Sequence, residues 1–170
     1  MHTGLAIKDR QHGKRGSFIG EVQERKLQEL LDAALAAEGT NKGNIQLFDP
    51  KTKALHIVAH RGFDSTFLKK FETVRPDDQT ACGRAFRLGR RVMIEDVTTD
   101  PYFQPFLSIA RASGYRAVQS TPIMGRESSV IGVLSTHFAA PHHWPDSAHG
   151  SLDEVASQIG NFVTELVETY

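Results

Sequence analysis

The stretch VIGVLSTHF, Val130 to Phe138, decides the fold. It is a run of apolar and β-branched residues, long enough for one strand and short for a buried helix, and it closes on a titratable ring, His137. A strand this apolar on both of its sides belongs in a sheet that is covered on both faces. Side chains alternate along a strand, so Ile131, Val133, Ser135 and His137 are expected on one face and Gly132, Leu134, Thr136 and Phe138 on the other. One of these faces is expected to look into a pocket.

The neighbouring segments supply the rest of the sheet and its cover. AVQSTPIM precedes the strand across the turn GRES and makes a hairpin with it, and Pro122, which lacks a ladder donor, marks a strand edge or a bulge. DPYFQPFLSIARASG opens on Asp100–Pro101, a capping residue followed by a first-turn proline, and predicts a helix or helical loop closing at Gly114. RVMIED reads as a strand, and TACGRAFRLG as a helix capped by Thr80 and ended by Gly89. Phe67, Leu68 and Phe71 fall three and four apart in a short helix within Asp64 to Thr73. NIQLFD and ALHIVAHR, separated by PKTK, form a second antiparallel hairpin.

Amphipathic helices lie at both ends. From Glu21, the residues Val22, Leu27, Leu30, Leu31, Ala34 and Leu35 make one apolar stripe ending near Gly39. In SLDEVASQIGNFVTELVETY, Ser151 and Glu154 have capping-box spacing, and Leu152, Val155, Ile159, Phe162, Val163 and Leu166 form the stripe. Residues Met1 to Gly20 are polar and basic in places, and read as a linker or loosely ordered lead-in that contributes no core. The order of elements predicts an α+β sandwich with helices covering an antiparallel sheet.

Composition narrows the function. The 170 residues suit one domain, and the 20 basic and 20 acidic side chains cancel, which gives no field favouring nucleic acid or an anionic membrane surface. The lone cysteine, Cys82, forms no internal disulfide, which fits a reducing compartment, and the cytoplasm is the expected location. The leading residues lack the apolar run of a signal peptide, and no 18-residue apolar span occurs, so a soluble chain is expected. No nucleophile elbow, phosphate loop or kinase signature is present, and nothing in the chain demands catalysis.

GRAFRLGRRVMIEDVTTDPYF, then GYRAVQSTPI, then VIGVLSTHF and a closing amphipathic helix, together resemble a GAF domain of the bacterial sensor and histidine-kinase type over residues 21–170. The resemblance implies a GAF-like (profilin/PAS-like) three-layer sandwich. Its central antiparallel sheet has five to six strands, with terminal helices on one face and pocket-forming helices and loops on the other. STHFAAPHHW is similar to the strand-end histidine, proline and tryptophan of bilin-binding phytochrome GAF domains, in which the histidine faces the chromophore. The attachment cysteine of that family is missing from SIARASGYR, so covalent bilin binding there is not expected. Some GAF domains reduce free methionine sulfoxide by a thiol relay, which a single cysteine cannot close within the chain.

The candidate ligand-binding residues are therefore His137, Ser135, Gln119, Tyr102, Phe103 and Phe106. His137 is either a pocket contact, donating to a ligand carbonyl or binding a haem or metal ion, or a hydrogen-bonded ring at the sheet rim. The aromatic side chains either wall a pocket or pack the core. His142 and His143 read as surface histidines beside Trp144, which plugs the end of the core, and His56 and His60 as one-face neighbours in a strand, roughly 13 Å apart. Arg84 and Arg87 share a helix face that Glu95 and Asp96 are placed to neutralise, the alternative being a phosphate-binding fork. No cofactor and no metal are expected.

The reading is a non-catalytic sensory or regulatory domain that binds a small molecule, dimerises through its terminal helices and serves a bacterial signal-transduction protein such as a sensor histidine kinase. No nucleic-acid or membrane partner is expected. The alternatives are a tetrapyrrole- or haem-binding sensor and a redox enzyme of the free methionine sulfoxide reductase type.

Overall fold

The computed structural model describes residues 19–147 and 149–169. Helix α1 (Glu21–Glu38) leads into strands β1 (Lys42–Asp49) and β2 (Ala54–Arg61), then short helices α2 (Ser65–Lys70) and α3 (Ala81–Leu88) and strand β3 (Val92–Ile94). A 3₁₀ turn at Gln104–Phe106 runs into α4 (Leu107–Ser113), followed by β4 (Ala117–Met124), β5 (Val130–Phe138) and the closing α5 (Gly150–Thr169). The five strands form one antiparallel sheet in the order β2-β1-β5-β4-β3, which places the deciding strand β5 at its centre.

Local chemistry sets most boundaries. The Thr80 hydroxyl accepts from the Gly83 N–H at 3.0 Å and caps α3. Asp64 caps α2 by accepting from the Phe67 N–H. Gly39, Gly89 and Gly114 end α1, α3 and α4 in the left-handed conformation that glycine adopts without a Cβ clash. Of the helix or helical loop expected from Asp100, the loop comes first: Asp100 makes a turn by accepting from the Tyr102 N–H, and Pro105, which disfavours helix at the residue before it, holds the next residues in a 3₁₀ turn.

The sheet has helices on both faces. On one, α1 and α5 bury Leu27, Leu31, Ala34, Leu152 and Ile159 against Ile45, Leu47, Ile123 and Leu134. On the other, α2, α3, the 3₁₀ turn and α4 bury Phe67, Phe71, Ala85, Phe103 and Ala110 against Leu55, Val118 and Val133. Each fully buried Leu, Ile or Phe contributes about 1.5–3 kcal/mol. Close approach of backbones fixes two glycines: a Cβ on Gly132 would overlap the Gln46 carbonyl on the adjacent strand, and one on Gly160 of α5 would overlap the Met124 carbonyl.

Several expectations are corrected. Val22, assigned to the buried stripe, is 72% exposed in the first turn of α1. Ile19, the first described residue of the polar lead-in, is buried in the α1/α5 core, so that segment does contribute core at its end, and residues 1–18 lie outside the described residues. Two bulges redirect side chains. The shift opposite Ile45/Gln46 puts His56 on the α1/α5 side, paired with Leu47, and His60 on the opposite side, paired with Asn44, so the two histidines do not share a face. The shift between Ile123 and Met124 sends Ile131 to the α1/α5 core, away from Val133, Ser135 and His137. Pro122 lies beyond the end of β3, where β4 has no partner on that side, so its missing N–H costs no ladder bond.

Arg84 pairs with Asp100 rather than with Glu95 or Asp96, Arg87 donates to the Pro76 carbonyl, Asp96 pairs with Arg116, and Glu95 with His143. Trp144 is buried with Ala117 and Phe138, and His142 stacks on Phe138 at a ring distance of 4.1 Å. Among the described residues no helix is long and apolar enough to cross a membrane, and no three His, Cys, Asp or Glu side chains are grouped to hold a metal ion.

Candidate functional site

The α2/α3 face of the sheet holds a small cavity. Alternation along three adjacent strands brings polar side chains to one floor: Asn44 and Gln46 from β1, Ser135 and His137 from β5, and Ser120 from β4. The first turn of α3 contributes Thr80, Ala81 and Cys82, and the roof is made of Phe67, Phe71, Phe103 and Tyr115. The enclosed space is about 30 Å³, room for roughly one or two water-sized groups.

The floor is only partly satisfied. Ser120 and Ser135, opposite each other in register, share a hydrogen bond of 2.7 Å. Asn44 Oδ1, Gln46 Oε1 and His137 Nδ1 are buried without a partner, each in a side chain more than nine-tenths buried. A buried polar group without a hydrogen bond is costly, and three on side chains that line one cavity mark it as a place for a polar guest.

His137 is caged. The rings of Phe63, Phe67 and Tyr115 meet it edge-on at centroid distances of 4.9, 5.9 and 4.7 Å. Burial, with the Lys42 charge adding to it, pushes the imidazole down to about 3, so the ring is neutral at pH 7 and carries one donor and one acceptor nitrogen. Lys42 itself donates to the Gly62 carbonyl at 2.8 Å and lies over the Phe63 ring at 5.7 Å, outside the cavity lining. Burial also pushes the Cys82 thiol and the Tyr115 phenol up, which keeps both protonated.

The six candidates separate. His137, Ser135 and Phe103 line the cavity. Phe106 packs behind it, its ring 5.5 Å from Phe103 and 6.2 Å from Phe71. Tyr102 is 55% exposed and covers the Arg84 guanidinium at 5.7 Å instead. Gln119 is fully buried on the opposite face of β4, where its amide donates to Glu38 at 3.3 Å. One step along a strand reverses the face, so Ser120 takes the place assigned to Gln119. Asn44 and Gln46 were not among the expected site residues. Their signal is the alternation in NIQLFD, where two amides share a strand face that both-sided covering makes an interior face.

The opposite face carries a second polar junction. Glu38, the last residue of α1, accepts from Gln119 Nε2 and, at 3.2 Å, from Trp144 Nε1. Gln119 and Ser120 are consecutive in β4, so one strand connects the cavity floor to the end of α1.

A tetrapyrrole does not fit these residues. The cavity is about a tenth of the smallest of the roughly 300–1,000 Å³ sites that take drug-sized ligands, and the rings of Phe63, Phe67 and Tyr115 stand around the His137 imidazole.

The family model described as a GAF domain matches residues 24–164. Among solved structures, the chain is similar to a domain described as belonging to a two-component sensor histidine kinase protein of Sinorhizobium meliloti 1021, with TM-score 0.71 and 22% identity over 84% of this chain and 91% of that one. It is also similar to the free methionine-R-sulfoxide reductase of Neisseria meningitidis, solved with its substrate, with TM-score 0.67 and 19% identity over 86% of this chain and 80% of that one. The GAF domain of PixJ from Thermosynechococcus elongatus, in its blue-light absorbing form, matches with TM-score 0.64 and 18% identity over 84% of this chain and 85% of that one. No curated protein matches the chain in sequence.

Proposed function

The chain belongs to the GAF domain family, and from that premise we propose that it is a non-catalytic sensory domain that binds a small molecule between its sheet and its α2/α3 roof. The observation that carries this reading is the set of three unpartnered buried polar atoms, on Asn44, Gln46 and His137, around one cavity. Occupancy is passed on where β4 connects Ser120 in the floor to Gln119 and Glu38 at the end of α1. A ligand that prefers one arrangement of the floor shifts the population of the α1 end with it. The terminal helices form the output, pairing with those of a second copy inside a bacterial signalling protein of the histidine-kinase kind.

Native mass spectrometry of the chain purified from its own cells tests the ligand, the expected result being a retained small-molecule mass that Gln46→Met removes. Light scattering across a concentration series tests the pairing. A strict monomer at high concentration ends the dimer part of the proposal.

A reductase reading draws on Cys82, which lines the cavity, and on the likeness to a reductase. Its thiol is held protonated by burial, and the chain has a single cysteine, so a second thiol would have to come from outside. Turnover of free methionine sulfoxide by the wild type but not by Cys82→Ser would establish this reading against the sensory one.

A further inference from the structure

Resting on the reading of the cavity as a ligand site, we propose that its occupant is a small uncharged molecule carrying both a hydrogen-bond donor and an acceptor, a carboxamide being the simplest form. The lining contains no Asp, Glu, Lys or Arg. Its three titratable groups, Cys82, Tyr115 and His137, are each held neutral by burial. Two cations of the elements that build it are engaged elsewhere, Lys42 with the Gly62 carbonyl and Arg84 with both oxygens of Asp100. A charged guest would surrender its hydration and meet no counter-ion, whereas a neutral one gives up far less.

The polar atoms also specify what the guest must offer. Asn44 Oδ1, Gln46 Oε1 and His137 Nδ1 wait for partners on the sheet side. Across the cavity stand Thr80, Ala81 and Cys82 of α3, an eight-residue helix whose first-turn N–H groups have no partner within the helix. Thr80 Oγ1 accepts there from the Gly83 N–H and from the Cys82 thiol, so its own hydroxyl hydrogen is left to donate to an acceptor. An amide group satisfies both sides, its N–H toward the floor and its carbonyl toward α3. The space of about 30 Å³ takes such a group, and Phe67, Phe71 and Phe103 form the apolar wall against which the small remainder of the ligand lies.

The test uses the full chain with three small probes of one shape and different charge: acetamide, acetate and acetamidinium. Binding is measured by calorimetry, and protection of Cys82 from alkylation by iodoacetamide reports the location. Acetamide is expected to bind at least tenfold more tightly than either ion, to slow alkylation, and to lose at least fivefold in affinity in Gln46→Met and in the milder Ser135→Ala. Acetate or acetamidinium binding as tightly as acetamide would overturn the uncharged class while leaving the cavity a ligand site. Acetamide binding without protection of Cys82 overturns the proposed placement. Absence of binding by all three probes overturns this inference and the ligand reading beneath it.

Discussion

Arg84 and Asp100 hold each other by two parallel hydrogen bonds of 3.1 Å, with side chains only 11% and 16% exposed. The pair ties α3, which supplies one wall of the cavity, to the turn that supplies Phe103 of the roof. It is thus the fastening of the roof. Such forked geometry is the strongest form of side-chain ion pair.

Breaking that pair leaves a mostly buried guanidinium without a counter-charge. Asp100→Asn is expected to destabilise the fold by about 3 kcal/mol in urea titration, while Arg84→Met combined with Asp100→Leu costs far less, because no charge is then stranded. Equal losses in the single and double variants would show that the pair is not what fastens the roof.

His137 should make stability depend on pH. Its folded value is about 3, whereas an unfolded histidine titrates near 6.5. Between these values the unfolded chain carries a proton that the folded ring refuses, so stability rises with pH and is lost as pH falls below about 6.5, by at most about 1.4 kcal/mol per pH unit. Asp32 and Asp96, whose carboxyls Arg61 and Arg116 hold below the usual range, give up their contribution only below about pH 4. Denaturant midpoints compared at pH 6.5 and 4.5 for the wild type and His137→Phe check this, the variant being expected to lose the steeper part of the slope.

Trp144 is the only tryptophan, so fluorescence reads the junction at the end of α1 directly. Removing the acceptor in Glu38→Ala leaves the indole N–H and the Gln119 amide unpaired in a half-buried place, at a cost of about 1–3 kcal/mol. A shifted emission maximum is expected. An emission spectrum identical to the wild type would mean that the indole does not depend on this carboxylate.

Gly132 tests the packing of the central strands. In Gly132→Ala the new methyl group meets the Gln46 carbonyl on β1, and the strands must part, costing about 1–3 kcal/mol by thermal unfolding. Because Gln46 is part of the cavity floor, the variant should also weaken any ligand that Gln46 holds.

Elements governed by near neighbours in the chain were legible from the residues. Thr80, Gly89 and Gly114 mark helix ends through contacts only a few positions long, and the structure has them there. The same holds for the full extent of α1 and for both hairpins. The candidate site was legible in part, through His137, Ser135 and Phe103. Gln119 went to the wrong face because the phase of β4, unlike its existence, depends on how it registers with β5. His56 and His60 were separated by a bulge that nothing in ALHIVAHR announces.

What the amino-acid order determined by itself was the succession of elements and the covering of the sheet on both sides, because hydrophobic period and capping are properties of short windows. What tertiary structure decided was which polar groups meet. The convergence of Asn44, Gln46, Ser120, Ser135 and His137 needs three strands in register, and the meeting of Arg84 with Asp100 needs α3 folded against a distant turn. Those contacts form between residues far apart along the chain, and only the packing of the layers brings them within hydrogen-bonding reach.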